Sequence, residues 1–178
     1  SNQELIDSLT LQTRASLRAV ATKNRFLASA AHDLRQPVHA IGLYLTPLAN
    51  LADRALRTRI AEPLGLPETV LVPLVRHVTD IRNICAHHGR LWNRGFLTPP
   101  KLAQKPRSLQ AMIDQSANQA PAKIYNAICM IGYVIETVAP ASTWLADIAQ
   151  HVRNHPEGDL ASMGFPGDWE DRTHWAAI

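Results

Sequence analysis

Between residues 2 and about 49, apolar or small side chains recur at Ile6, Leu9, Thr13, Ser16, Val20, Leu27, Ala31, Leu34, Val38, Ile41, Leu45 and Leu48. With Asn24 filling the gap, the steps are mostly three and four, which is the spacing of a heptad seam. The pattern predicts one long coiled-coil-like helix or a helix pair. A seam sustained for about six heptads calls for a partner helix, most simply from a second copy of the chain. Pro37 interrupts it and predicts a kink, or a helix end near Gln36.

The texture changes near Leu51. Residues 52–61 read as a short basic helix closed by Pro63 and Gly65. Leu66-Pro67-Glu68 restarts a helix, with Pro67 suited to the first turn and Glu68 to the positive end of the dipole. Pro73 predicts a further restart. Leu74, Val78, Ile81 and Cys85 then follow at steps of 4, 3 and 4, one buried stripe running to His88, with Gly89 as the stop. Residues 96–107 carry Thr98-Pro99-Pro100 and Lys105-Pro106 and read as a loop. A short helix is expected from Ser108 to Ser116. Pro121 opens the most apolar helix, Ala122 to Val138, with Ile124, Ile128, Ile131, Ile135 and Val138 on one face. Ser142 or Thr143 caps another helix running to about Asn154, and the tail from Pro156 is irregular. No strand and no internal repeat stands out. The chain reads as all-α, with an N-terminal helical segment 1–51 and a helical bundle 52–178.

Composition changes this picture only a little. The 46% apolar content is enough for a packed core, and 178 residues fit one domain with a helical appendage. Fourteen of the 18 cationic side chains are arginine, net charge is +3, and the pI is about 9.1. Arginine forks onto phosphate, so the bias leans toward nucleic acid. Arg54, Arg57 and Arg59 read as a solvated helix face, with contact to an RNA backbone as the alternative. Cys85 and Cys129, in apolar helical settings, read as buried free thiols. No run of about 18 apolar residues and no signal peptide is apparent, so the expectation is a soluble cytoplasmic protein without a membrane partner. A start at Ser1-Asn2 is read as a processed or excised chain.

The densest chemistry lies in Arg82-Asn83-Ile84-Cys85-Ala86-His87-His88-Gly89-Arg90-Leu91-Trp92-Asn93-Arg94. Three arginines, two adjacent histidines and two asparagines share thirteen residues. Metal-free RNA cleavage needs a base for the 2′-hydroxyl, a cation for the charged phosphorane and an acid for the leaving 5′-oxygen. His87, Arg82 and a second histidine have the right chemistry. On an ideal helix, however, Arg82 and His87 lie about 140° apart, while Asn83 and His87 share a face. Either the helix loosens toward Gly89, or two protomers assemble the site. The bland alternative is a histidine pair on a helix C-terminal dipole with Arg90 and Arg94 as a solvated edge. A zinc site from His77, His87 and His88 lacks a fourth ligand and His-x3-His spacing, so neither metal nor cofactor is expected. Trp92, Trp144, Trp169 and Trp175 read as core or lid packing.

Two resemblances follow from these residues. Ser29-Ala30-Ala31-His32-Asp33-Leu34-Arg35-Gln36-Pro37 resembles the H-box of the dimerisation and phosphoacceptor region of sensor histidine kinases. That resemblance implies a phosphoacceptor His32 oriented or deprotonated by Asp33. No ATP-binding motif follows, so phosphorylation would come from another kinase, and the chain would be a dimeric signalling module. The Arg82–Arg94 stretch resembles the signature of Abi-like abortive-infection proteins, phage-defence members of the HEPN superfamily whose hallmark is Arg, four to six residues, then His. Lys123-Ile124-Tyr125-Asn126-Ala127 and Met163-Gly164-Phe165-Pro166-Gly167-Asp168-Trp169 are similar to further stretches of that family, from about Ala52 to Trp175. The resemblance implies a HEPN-like helical bundle that dimerises into a metal-independent endoribonuclease or toxin. Arg82, Asn83 and His87 would be catalytic, and His88, Arg90, Asn93 and Arg94 secondary or RNA-binding. RNA is the implied substrate, and an antitoxin or small RNA a further partner. The family's own N-terminal half is replaced here by the histidine-kinase-like helix, so the chain reads as a join of two segments.

Overall fold

The computed structural model describes residues 53–87, 89, 91, 93–115, 122–155, 158–172 and 174–176. The heptad seam, the bend at Pro37 and the H-box with His32 and Asp33 lie outside these residues. Among the described residues every regular element is helical. α1 spans Arg54–Ala61, α2 Glu68–Ala86, α3 Arg107–Met112, α4 Ile124–Val138 and α5 Trp144–Arg153, with short 3-10 turns at Glu62–Leu64, Ala161–Met163 and Trp169–Asp171.

α1 begins at Asp53, whose carboxylate accepts the Ala55 amide at 2.8 Å, as an N-cap should. It runs on into the 3-10 turn at Glu62–Leu64, which Gly65 ends at φ +62. The expected solvated face of α1 is only partly so. Arg57 donates through Nε and Nη2 to Oε1 of Glu68 at 3.2 and 3.1 Å, and Arg54 Nε lies 3.4 Å from Oε2. Glu68 is in the first turn of α2, eleven residues from Arg57, so the pair ties the two helices across the intervening turn.

α2 buries Val70, Leu71, Leu74, Val75, His77, Val78, Ile81 and Cys85, which contains the stripe read from the sequence. Pro73 does not restart this helix but lies inside it. Its ring removes one early intrahelical bond, while burial of Leu71, Leu74 and Val75 around it holds the helix continuous.

α4 is the central element. Ile124, Ile128, Ile131 and Ile135 are buried, but so are Tyr125, Asn126, Ala127, Cys129, Met130 and Val134. A helix apolar on all sides is one wrapped on all sides. Val138, expected on the buried face, is 66% exposed where the helix runs out of the bundle. α5 approaches α4 at Gly132, where a Cβ would stand 2.7 Å from a Leu145 methyl. α5 starts after Thr143, whose hydroxyl donates to Asp147 at 3.0 Å, while Ser142 Oγ accepts the Trp144 amide at 3.3 Å.

α3 stops at Met112, short of Ser116, because the chain turns extended at Ile113 to reach Asn126. The Asn126 amide accepts the Asp114 N–H at 2.7 Å and donates to its carbonyl at 2.8 Å. The neighbouring Tyr125 hydroxyl donates to the Met112 carbonyl at 2.8 Å and accepts from Trp175 Nε1 at 3.2 Å. Phe165, Trp169 and Trp175 close over Tyr125 in edge and stacked contacts, 4.9 to 6.3 Å between neighbouring rings. Trp144, Trp169 and Trp175 are therefore core residues. Each such side chain contributes about 1.5–3 kcal/mol on burial, which explains why an irregular tail stays folded back.

Candidate active site

Arg82 and Asn83 stand on the last turn and a half of α2, with the inner face of the same turns fixed in the core by Ile81 and Cys85. Arg82 is half-buried and donates through Nη1 to Asn83 Oδ1 at 2.9 Å. A hydrogen bond between adjacent residues removes rotamer freedom from the guanidinium.

His87 is the C-cap. Its amide closes on the Asn83 carbonyl at 3.0 Å, and its backbone leaves the helical region at φ −92, ψ 21. The Gly89 amide then reaches back to the Ile84 carbonyl at 2.7 Å. A Cβ on Gly89 would lie 2.8 Å from the Ile84 γ2 methyl and 2.9 Å from that carbonyl oxygen, so a glycine is required by the closeness of approach. The helix proper ends at Ala86, and the backbone has left helical geometry by His87. The structure brings Arg82 and Asn83 together. His87 has its imidazole exposed one turn on, and among the described residues no hydrogen bond joins the ring to the side chain of either. His88, Arg90 and Trp92 lie outside the described residues.

Past this point the chain is anchored on two sides. Asn93 sits at φ +49, a left-handed conformation that asparagine tolerates better than most residues. Its Oδ1 accepts from Lys123 Nζ at 3.2 Å. The exposed Arg94 follows, and the amide of buried Phe96 donates to the Ala122 carbonyl at 2.9 Å. On the other side, His77 of α2 packs its ring edge-on against Phe96, 4.5 Å between centroids, and its Nδ1 bonds the Thr98 carbonyl at 3.1 Å. That bond places the proton on Nδ1 and leaves a bare Nε2, which is buried without a hydrogen-bond partner. Burial depresses the basicity of His77, while the Thr98 carbonyl and the Asp80 carboxylate partly counter it. His77 is thus a neutral structural histidine on the helix that carries Arg82.

Among the described residues no group of three His, Cys, Asp or Glu is placed to hold a metal ion. Cys85 and Cys129 are buried and form no disulfide, and burial pushes the Cys129 thiol up to about 12, far from a usable nucleophile. No described helix is long and apolar enough to cross a membrane. Lys123 is the site neighbour that sequence reading did not single out. Its partner Asn93 is 30 residues away, and the only available hint was that it opens the Lys123-Ile124-Tyr125-Asn126-Ala127 stretch.

No curated protein and no solved structure matches the chain. A family model described as Abi-like protein matches residues 39–93, under half of the length. The match begins upstream of the change in texture at Leu51 and stops before Lys123 and the Phe165 tail. Residues 39–93, which take in α1, α2 and the Arg82, Asn83 and His87 positions, are similar to the Abi-like proteins.

Proposed function

We propose that the chain is a metal-independent endoribonuclease or toxin of the abortive-infection type, with a HEPN-like site. In this reading the His87 imidazole takes the proton from a ribose 2′-hydroxyl. The freed oxygen attacks the adjacent phosphorus, and the Arg82 guanidinium stabilises the charge that builds on the phosphorane oxygens. The bond to the 5′-oxygen breaks, that oxygen takes a proton from a histidine acting as acid, and a 2′,3′-cyclic phosphate is left. Asn83 positions the guanidinium, and Arg94 and Asn93 flank the strand. His88 and Arg90, from the same stretch, are assigned to RNA contact.

The observation that carries this reading is the Arg82–Asn83 hydrogen bond at the end of a core helix, beside an exposed imidazole at its cap, inside the family-matched stretch. His87 stands apart from Arg82 within one chain. A homodimer that sets one protomer's His87 beside its partner's guanidinium would complete the cleft. An antitoxin or small RNA would keep such an activity in check.

The test is incubation of purified protein with total RNA in EDTA, with His87→Ala and Arg82→Ala alongside. Cleavage with cyclic phosphate ends is expected, slowed by about 10²–10⁴ in His87→Ala, the usual share of a general acid or base. Asn83→Ala is expected to cost less, since the guanidinium remains. Cleavage at full rate in both the His87 and Arg82 variants would overturn the assignment.

A further inference from the structure

Resting on the ribonuclease reading, we infer that Lys123 is an RNA-binding residue of the same site and contacts a phosphate other than the one cleaved. The fold delivers this side chain to the motif from outside it. Its ammonium is 3.2 Å from Asn93 Oδ1, at the far end of the stretch that begins with Arg82. Its stem is fixed from below by Gly164, at φ +84, where a Cβ would lie 2.5 Å from the Lys123 Cβ and 3.2 Å from its Cγ. Its chain neighbour Ala122 is bonded to Phe96. The lysine is therefore aimed before any ligand arrives.

Its charge also remains available, unlike that of the described cations held in ion pairs. Arg54 and Arg57 are taken up by Glu68, Arg153 by Glu170, and Arg172 by Asp168 and Asp114. Lys123 has a neutral amide oxygen as its partner, and among the described residues no carboxylate forms an ion pair with it. An ammonium has three protons, so two remain for an anion. The first turn of α4, directly after it, contains no acidic residue to offset the positive end of the helix dipole. Arg94, exposed and adjacent to Asn93, extends the same positive edge. A lysine bound as a point charge holds a backbone phosphate without reading a base, so the contact is one of affinity and register.

The experiment measures binding of a fluorescein-labelled single-stranded RNA to the slow-cleaving His87→Ala protein over a salt series, by anisotropy. The same series is run on His87→Ala carrying Lys123→Met, Lys123→Arg or Asn93→Ala. Lys123→Met should weaken binding and make the log–log salt slope shallower by about 0.7, the value for one phosphate on a single strand. Lys123→Arg should restore both. Asn93→Ala should weaken binding with the slope unchanged, because it removes the lysine's bracket and a neutral strand contact but no charge. In cleavage assays on the His87 background restored to wild type, Lys123→Met should raise KM and leave kcat within about twofold. RNA binding with the same slope in Lys123→Met would overturn this inference alone and leave Lys123 as a loop tether. Absence of RNA binding by the His87→Ala protein, together with absence of cleavage by wild type, would overturn the ribonuclease reading and this inference with it.

Discussion

One added methyl group tests the geometry that ends α2. In Gly89→Ala the new carbon would meet the Ile84 carbonyl oxygen at 2.9 Å, and that oxygen is the acceptor of the residue's own amide at 2.7 Å. The clash with the Ile84 γ2 methyl at 2.8 Å offers little relief, because a β-branched side chain in a helix has one preferred rotamer. The turn must open. Losing the closing hydrogen bond costs about 0.5–1.5 kcal/mol and forcing a methyl into a packed site about 1–3 kcal/mol. The reduced freedom of the unfolded chain returns about 0.4–1 kcal/mol. A net loss of about 1–4 kcal/mol is expected. The matched control is Gly95→Ala, six residues on, where nothing lies within 4 Å of the added carbon. It should be neutral or stabilising by up to about 1 kcal/mol. Urea unfolding followed by tryptophan fluorescence reads both, and with slopes of about 1–3 kcal/mol per molar the midpoints should separate by roughly 1 M. RNA cleavage should fall in Gly89→Ala and hold in Gly95→Ala, since only the first moves the cap at His87. Coincident midpoints for the two variants would refute the closure argument.

Two further expectations concern buried polar groups. Asn126→Ala deletes both bonds to the Asp114 backbone in a fully buried setting and should destabilise by about 2–5 kcal/mol in the same unfolding assay; a loss below about 1 kcal/mol would count against it. His77 is held less basic than usual, chiefly by burial, so the unfolded chain binds a proton that the folded chain refuses. Its contribution should be complete above the unfolded value of about 6.5 and decline as pH falls through that value toward the lowered folded one. Urea midpoints on either side of that window should therefore diverge more in the wild type than in His77→Gln, and equal divergence would remove His77 as the cause.

How far the sequence revealed this molecule depended on the range of the interactions concerned. The α2 stripe from Leu74 to Cys85 and the Gly89 stop were legible because periodicity and a missing side chain act within a few residues. α4 was legible as a helix but not as a central one. Its isoleucine face was apparent, whereas burial of Tyr125, Asn126 and Cys129 depends on elements packed from every side. Pro73 misled because its ring argues for a break while the buried neighbours that hold the helix together lie in the tertiary fold. Arg54 and Arg59 are exposed as the sequence implied, whereas Arg57 seemed solvated because its acceptor, Glu68, lies beyond an intervening turn. At the site, residue types and order were legible. The Arg82–Asn83 bond and the displaced cap at His87 were not, because side-chain rotamers and the departure from helical angles decide them.

The crowding of Gly164 against Lys123 links two stretches of the chain that have no site residue in common. Positions 123 and 164 cannot drift independently. A bulkier residue at 164 is compatible only with a displaced backbone at 123, which would swing the ammonium away from Asn93. The tail is thus a buttress for the cationic edge without touching a ligand itself, and substitutions there would be felt first by whatever that edge holds.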